Sequence, residues 1–457
     1  MALFHLLAFS FLLFSSILAS SPSSIYPEFA RPTKSGYLPM KSDPTSALFY
    51  AFYEAQEPVS SLPDTPLLLW LEGGPGCSSM LGNFFHFGPW LLSPKDNFTL
   101  YQNPFTWNLR FGLLFIDSPL GTGYSIVKNA SEIPHDQFTI ASHLLVALQA
   151  FLSLNSSFRS RPLYIAGESY GGKFVPSLGY HTLRQNKHVL SNLRINLKGI
   201  AIGNGLMHPV TQVATHADSV YYTGLINEEQ KGHLESLQLA VVKLIIAHKW
   251  KEASDVRTVL LKELKNATGV ATLFDFTRKT DYPIEMISEF LNQGEVMEVL
   301  GVSKDVHFQL ISDDVVKALH EDKMKSVKYM VEELVQHIQV LLYQGVYDLQ
   351  DGVVSNEKWL REMHWGCLEG FLKAGRKVWK DNGVLIGYVQ HFASLSEVVL
   401  HGAGHFAVHD QKSNAQKMIE HWIMEKGLFY DGDENFCMEK GSFYDGEENF
   451  CMGMDEK

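Results

Sequence analysis

Three side chains far apart in the chain have the types and surroundings to form one nucleophilic centre. Ser169 lies in GESYG, residues 167–171, which fits the pattern G-x-S-x-G. A serine hydroxyl is a weak nucleophile near neutral pH. It needs an imidazole to take its proton and a carboxylate to orient that imidazole. His405 ends the stretch VVLHGAGH at 398–405, and Asp348 ends QGVYD at 344–348, with Asp351 a near competitor. Acyl chemistry also needs backbone N–H donors for the developing oxyanion. The glycine-dense run WLEGGPGCSS at 70–79 lets a backbone approach substrate closely, and Tyr170, next after Ser169, would supply a second amide. A phosphate loop is the rival reading of that run, but no Gly-Lys-Ser or Gly-Lys-Thr follows.

A metal centre is the other chemistry to weigh. His401, His405 and His409 are four apart and would align three imidazoles on a helix. Gly402 and Gly404 oppose a helix there, and the sequence holds no H-E-x-x-H pattern. Neither a metal nor a cofactor is expected.

The elements that must position these residues can be read from apolar runs. Residues 47–53, 67–71, 113–116, 163–166, 197–202, 340–343 and 398–400 are apolar, of strand length, and end in glycine or turn signals. Amphipathic stretches such as 135–154 and 170–184 separate several of them. That alternation predicts an α/β fold, with a mostly parallel central sheet and helices on both faces. LYIA at 163–166 runs into Ser169 and a helix starts at Tyr170, so the serine sits on a strand-to-helix elbow. Asp348 and His405 follow two later strands. The order Ser, Asp, His and the strand-end positions are those of an α/β-hydrolase.

Residues 206–335 read differently. They are rich in Lys, Glu, Leu and Val at helical spacing, as at 228–249 and 253–265. They predict a mainly helical cap insertion that roofs the ligand crevice. The chain then divides into a signal peptide (1–20), a first core part (21–205), the cap (206–335), a second core part (336–424) and an acidic tail (425–457). In that tail EKGLFYDGDENFCM at 425–438 recurs as EKGSFYDGEENFCM at 439–452.

Composition excludes several classes. Of 457 residues, 46% are hydrophobic and 19% charged, which excludes a disordered, collagenous or coiled-coil chain. The net charge is −12; residues 425–457 hold 10 acids and 3 bases, so the tail carries −7 and the rest −5. No basic patch stands out, so nucleic acid is not an expected partner. Residues 3–18 are almost wholly apolar and lead to Ala19-Ser20-Ser21, as in a cleaved signal peptide. The run is short for a membrane span, so no membrane attachment is expected after cleavage. Sequons at Asn97, Asn129, Asn155 and Asn266 fit glycosylation in the secretory pathway, with a secreted or vacuolar destination. The chain has 4 cysteines, too few for disulfides to be the main support of so large a core.

Several segments together resemble one family, the serine carboxypeptidases and their plant serine carboxypeptidase-like relatives. They are WLEGGPGCSS (70–79), NPFTW (103–107), IDSPLGTGYS (116–125), GESYGG (167–172), GNG (203–205), QGVYD (344–348) and GAGH (402–405). The resemblance implies Ser169 as nucleophile, His405 as general base and then acid, and Asp348 as its orienter. It implies the Gly74 and Tyr170 amides as the oxyanion hole. It places the receptor for the C-terminal carboxylate of a peptide substrate at Glu72, Gly73, His86 and Glu168. Gly73 and Glu168 match the family pattern, whereas Glu72 stands where the family has Asn and His86 where it has Glu. Two carboxylates facing a substrate carboxylate repel it unless a proton is shared. The expectation is therefore a reduced exopeptidase activity with an altered pH profile. The family's usual cysteine partner for Cys77 falls in a segment resembled by ISDDV at 311–315, where Ile311 replaces it. Cys77 is then either an unpaired buried thiol or paired elsewhere. The aromatics Phe84, Phe85 and Tyr222 are expected in the pocket.

Two other functions remain beside the carboxypeptidase. Some plant relatives transfer acyl groups from glucose esters, usually with Asp before the nucleophile; Glu168 and Gly171 favour the peptidase. A catalytically silent secreted relative is the third reading, opposed by the intact Ser169, Asp348 and His405. Monomer and homodimer stay open.

Overall fold

The computed structural model describes residues 24–40, 45–93 and 98–429. The leader, the Asn97 sequon and nearly all of the duplicated tail lie outside the described residues. Among the described residues twelve strands form in chain order: β1 (Lys34–Pro39), β2 (Ala47–Tyr53), β3 (Leu67–Leu71), β4 (Trp90–Leu92), β5 (Leu100–Gln102) and β6 (Gly112–Ile116), then β7 (Leu163–Glu168), β8 (Leu197–Gly203), β9 (Gln339–Gly345), β10 (Lys377–Asp381), β11 (Val384–Phe392) and β12 (Leu395–Leu400). β4 and β5 pair separately, and the other strands form one ten-stranded sheet in the order β1-β2-β6-β3-β7-β8-β9-β12-β11-β10. The pairings from β6 through β12 are parallel, and those at both edges are antiparallel.

The central strands are buried on both faces, which is why they read as continuous apolar runs. All five residues of β3 are buried. Leu67, Leu69 and Leu71 face one core with Ile165, Ile200 and Leu342; Leu68 and Trp70 face the other with Ala166, Leu341 and Tyr343. Helices α1 (Gln137–Ser153) and α2 (Gly171–Asn186) cover the first of these faces, and the helix Lys412–Ile423 covers the second. This is the mostly parallel sheet covered on both faces that the sequence predicts.

The sequence reading misses the edge hairpin β10–β11. Most of its positions are exposed or only partly buried, unlike those of the fully buried central strands. The signal it does carry is Asn382-Gly383, both at positive φ (48° and 82°) in the turn.

Between β8 and β9 the chain is helical, with α3 (Pro209–Gln212), α4 (His216–Tyr222), α5 (Glu228–Ile246) and α6 (Trp250–Thr268) followed by shorter helices. Asn227 starts α5 with a reciprocal capping box to Gln230. α4, α5 and α6 bury Val220, Leu234, Val241, Leu260 and Leu264 in a cluster separate from the two sheet cores. No described helix is long and apolar enough to cross a membrane.

Candidate active site

The sheet reverses its winding between β3 and β7, since β3 is followed in the chain by β6 on one side and by β7 on the other. Such a switch point opens a crevice beyond the strand C-termini. Four chain segments deliver side chains there: the loop after β3, the turn after β7, and the loops after β9 and β12.

Ser169 occupies the turn between β7 and α2 with φ 59°, in the left-handed region that residues with a side chain rarely adopt. The turn is held by Ser169 N–H donating to Gly203 O (2.9 Å) and Gly172 N–H donating to Ser169 O (2.9 Å). Gly167 is required by contact: a Cβ there would lie 2.4 Å from Leu71 O.

His405 is buried in the loop after β12, and its Nδ1 lies 2.7 Å from Asp348 Oδ2. Asp348 also accepts from Asn204 Nδ2 (2.8 Å), Gln350 N–H (2.7 Å) and Asp351 N–H (3.2 Å). The near competitor, Asp351, faces Arg257 instead, 3.6 Å away. Burial opposes a charge on His405, but the Asp348 charge and hydrogen bond outweigh it and hold the imidazole above its ordinary value. Phe274 stacks on the ring (centroids 4.6 Å, planes 12° apart), and its carbonyl accepts from the His405 backbone N–H at 2.6 Å. The other ring nitrogen, Nε2, is buried with no hydrogen-bond partner. His405 and Ser169 line the same cavity of about 350 Å³.

Gly74 and Tyr170 also line that cavity. A Cβ on Gly73 would meet Tyr170 N at 2.8 Å, so the glycine loop presses directly against the elbow. Asp117 holds the loop from behind: it accepts from Ser78 Oγ (2.6 Å), Ser79 N–H (2.9 Å) and Tyr124 N–H (3.0 Å). Burial pushes its carboxyl up to about 6 despite these donors. The segment IDSPLGTGYS thus braces the loop.

Glu72, His86 and Glu168 converge and are buried. His86 ends a π-helical turn, Gly82–His86, and places Nε2 3.2 Å from Glu168 Oε1 and 3.8 Å from Glu72 Oε2. Glu72 accepts from the Trp70 indole N–H (3.0 Å) and from Gly73 N–H (3.2 Å). Both Glu168 oxygens and both His86 nitrogens lack a hydrogen-bond partner. Burial, then Glu168, raise Glu72 to about 7; burial raises Glu168 to about 8 and lowers His86 to about 4. The cluster thus favours neutral forms, with protons on the carboxyls rather than on the imidazole. Glu72, His86 and Glu168, grouped by the family resemblance, also offer ligand atoms within 4.8 Å of one another, a spacing a small cation can use and one the sequence did not reveal. The histidine row weighed for zinc does not form: His401 is exposed, while His409 stacks on Phe85 (3.9 Å) with Nδ1 2.9 Å from Phe85 O.

Other expectations need correction. Phe84 and Phe85 are packed in the sheet core, and Tyr222 is 78% exposed; none lines the cavity. Its apolar wall includes Phe274, Phe406, Ile284 and Leu206, and its charged wall comes from Arg257 and Lys323 together with the carboxyls of Glu72 and Asp351. Cys77 is a free, buried thiol, and its backbone is bridged to Ile311, the residue in the position of the family's cysteine. Cys367 is disulfide-bonded. Asn129, Asn155 and Asn266 are all exposed.

Fold and site define the class, an α/β-hydrolase with its polar cluster at the sheet's switch point. A solved structure of the prohormone-processing carboxypeptidase Kex1 from Saccharomyces cerevisiae shares this fold. It aligns with a TM-score of 0.77 at 23% identity, over 86% of this chain and 91% of that one. The sequence profile of the serine carboxypeptidase family matches residues 22–425. Serine carboxypeptidase-like 50 of Arabidopsis thaliana is 51% identical over 92% of this chain and 94% of its own length. The probable serine carboxypeptidase CPVL of Homo sapiens is 31% identical over 88% of this chain and 85% of its own. The chain belongs to the serine carboxypeptidase family of hydrolases.

Proposed function

We propose that the protein removes the C-terminal residue of peptides through an acyl-enzyme on Ser169. The observation that carries this is one cavity lined by Ser169, His405 and Glu72, with Asp348 bonded to His405 behind it and Glu168 and His86 buried beside Glu72. The peptide's terminal carboxylate docks against Glu72, Gly73 and Glu168, whose raised carboxyls donate protons as hydrogen bonds to it. His86 orients Glu168 from behind. This fixes the last peptide bond at Ser169.

His405 Nε2 takes the Ser169 proton as Oγ attacks the carbonyl carbon, and Asp348 stabilises the imidazolium. The Gly74 and Tyr170 amides receive the oxyanion. His405 then protonates the leaving amine, and water attacks the acyl-enzyme by the reverse route. The leader and the exposed sequon asparagines support entry into the secretory pathway, with a secreted or vacuolar destination.

The test is a mixture of peptides in free-acid and C-terminally amidated form, followed by mass spectrometry beside a Ser169→Ala control. Loss of the last residue confined to the free acids is the expected result. Equal inertness of wild type and control would overturn the reading.

A further inference from the structure

We infer that Arg257 and Lys323 form an anion-binding subsite that receives an acidic side chain on the acyl side of the scissile bond. This rests on the carboxypeptidase reading and names its substrate class.

The side on which these cations lie follows from the elbow. Glu168, the residue before Ser169, points into the cluster with Glu72 and His86. Tyr170, the residue after it, points the other way: its hydroxyl donates to Asp322 Oδ2 at 2.5 Å. Lys173, in the first turn of α2, donates to Asp322 O at 2.7 Å. The turn Asp322–Met324, which carries Lys323, is therefore clamped to the face of the elbow opposite the carboxylate receptor. If the leaving residue occupies the Glu72 side, the residue donating the acyl group must lie toward Lys323.

The charge balance of that wall is incomplete. Arg257 reaches from α6 with its side chain 11% exposed, and its only carboxylate among the described residues is Asp351, 3.6 Å away. Its Nε is buried and unpartnered. Asp351 also accepts from Gln350 Nε2 at 3.1 Å. Lys323 is half-buried; its backbone N–H donates to Leu319 O (3.2 Å), but its side-chain ammonium has no hydrogen-bond or ion-pair partner among the described residues. The carboxylate nearest in sequence, Asp322, is taken by Tyr170, Gln137 and Lys173. Asp348 is taken by His405. At the wall of a cavity that Ser169 lines, Arg257 thus has one carboxylate and the Lys323 ammonium has none among the described residues. A desolvated cation without a counter-ion is costly, and a ligand carboxylate would supply the missing charge. Burial and then Arg257 lower Lys323 only to about 8, so it stays charged in acidic and neutral solution.

The experiment compares kcat/KM for three peptides that end in the same Phe and carry Glu, Gln or Lys before it. The Glu peptide is expected to exceed the Gln peptide by about tenfold and the Lys peptide by more, the scale of one charged hydrogen bond. Lys323→Met is expected to bring the Glu-to-Gln ratio below about twofold, and Lys323→Glu to favour the Lys peptide. Equal rates for Glu and Gln peptides, or a ratio that survives Lys323→Met, would overturn the subsite and leave the carboxypeptidase reading standing. Cleavage of none of the three, with wild type matching Ser169→Ala, would remove both.

Discussion

The surroundings of His405 and of Glu72, on two sides of the cavity that Ser169 lines, differ in how completely their polar atoms are partnered. At the His405 end, Asp348 receives three donors besides the imidazole, and Phe274 stacks on the ring while its carbonyl accepts from the His405 backbone N–H. At the Glu72 end, four buried atoms of His86 and Glu168 have no hydrogen-bond partner, although His86 Nε2 lies 3.2 Å from Glu168 Oε1. Buried polar groups are normally satisfied, and each exception asks for a cause. The first end is organised before substrate arrives. The second is completed by a ligand or by protons.

The largest expected effect tests the organised end. Ser169→Ala should lower kcat/KM by roughly 10⁴-fold or more while peptide still binds, because the receptor lies elsewhere. Calorimetric titration of the variant with a free-acid peptide checks the second half. Loss of binding together with rate would show that the two ends are not separable.

Next comes Asp348→Asn, expected to cost about 10⁴-fold in kcat with little change in KM. Asn keeps the size of Asp but removes the charge that holds His405 upright and raised. A loss below about tenfold would mean that Asn204, Phe274 and the backbone orient the imidazole without the carboxylate.

The unsatisfied end should announce itself through pH. Glu72 and Glu168 are raised to about 7 and about 8, so their protons are present in acid and lost as pH rises through that range. KM should therefore rise on the alkaline side, whereas kcat answers to His405. Glu72→Gln keeps a neutral group beside the Trp70 indole and removes one titration. It should flatten the rise in KM between pH 6 and pH 9, by about three- to tenfold at the upper end. An unchanged profile would assign the rise to Glu168 alone.

This contrast also explains what could be read from the chain. Ser169, Asp348 and His405 each end a local motif at a strand terminus, and local pattern is what sequence displays well. The glycine loop was legible for the same reason. Asn204 was visible only as the middle of GNG, with no hint that its amide would reach Asp348 from the end of β8. Phe274 and Lys323 lie in stretches with helical or loop composition, and only the packing of those segments over the sheet brings them to the cavity. Phe84 and Phe85 looked like pocket residues because they flank His86. Their rings point into the sheet core, a choice that depends on side-chain packing and not on spacing.

The smallest effect asks whether the open end is unsatisfied by design or merely loose. Ser78 N–H donates to Leu310 O and Ser312 N–H donates to Gly76 O, both at 2.9 Å. Cys77 and Ile311 are therefore directly opposite as a non-hydrogen-bonded antiparallel pair, with Cα atoms about 4.5 Å apart. That separation falls in the range a disulfide spans. Ile311→Cys should oxidise with Cys77 and raise stability by about 2–4 kcal/mol, read as a higher denaturant midpoint lost on adding reductant. The cross-link pins the glycine loop at Cys77, four residues beyond Gly73 of the receptor. If the receptor's free atoms are held ready for a carboxylate, KM should stay within about twofold. A large fall in KM with the bond formed would mean that the native loop has to be ordered by substrate, and that the two ends differ in rigidity rather than in what completes them.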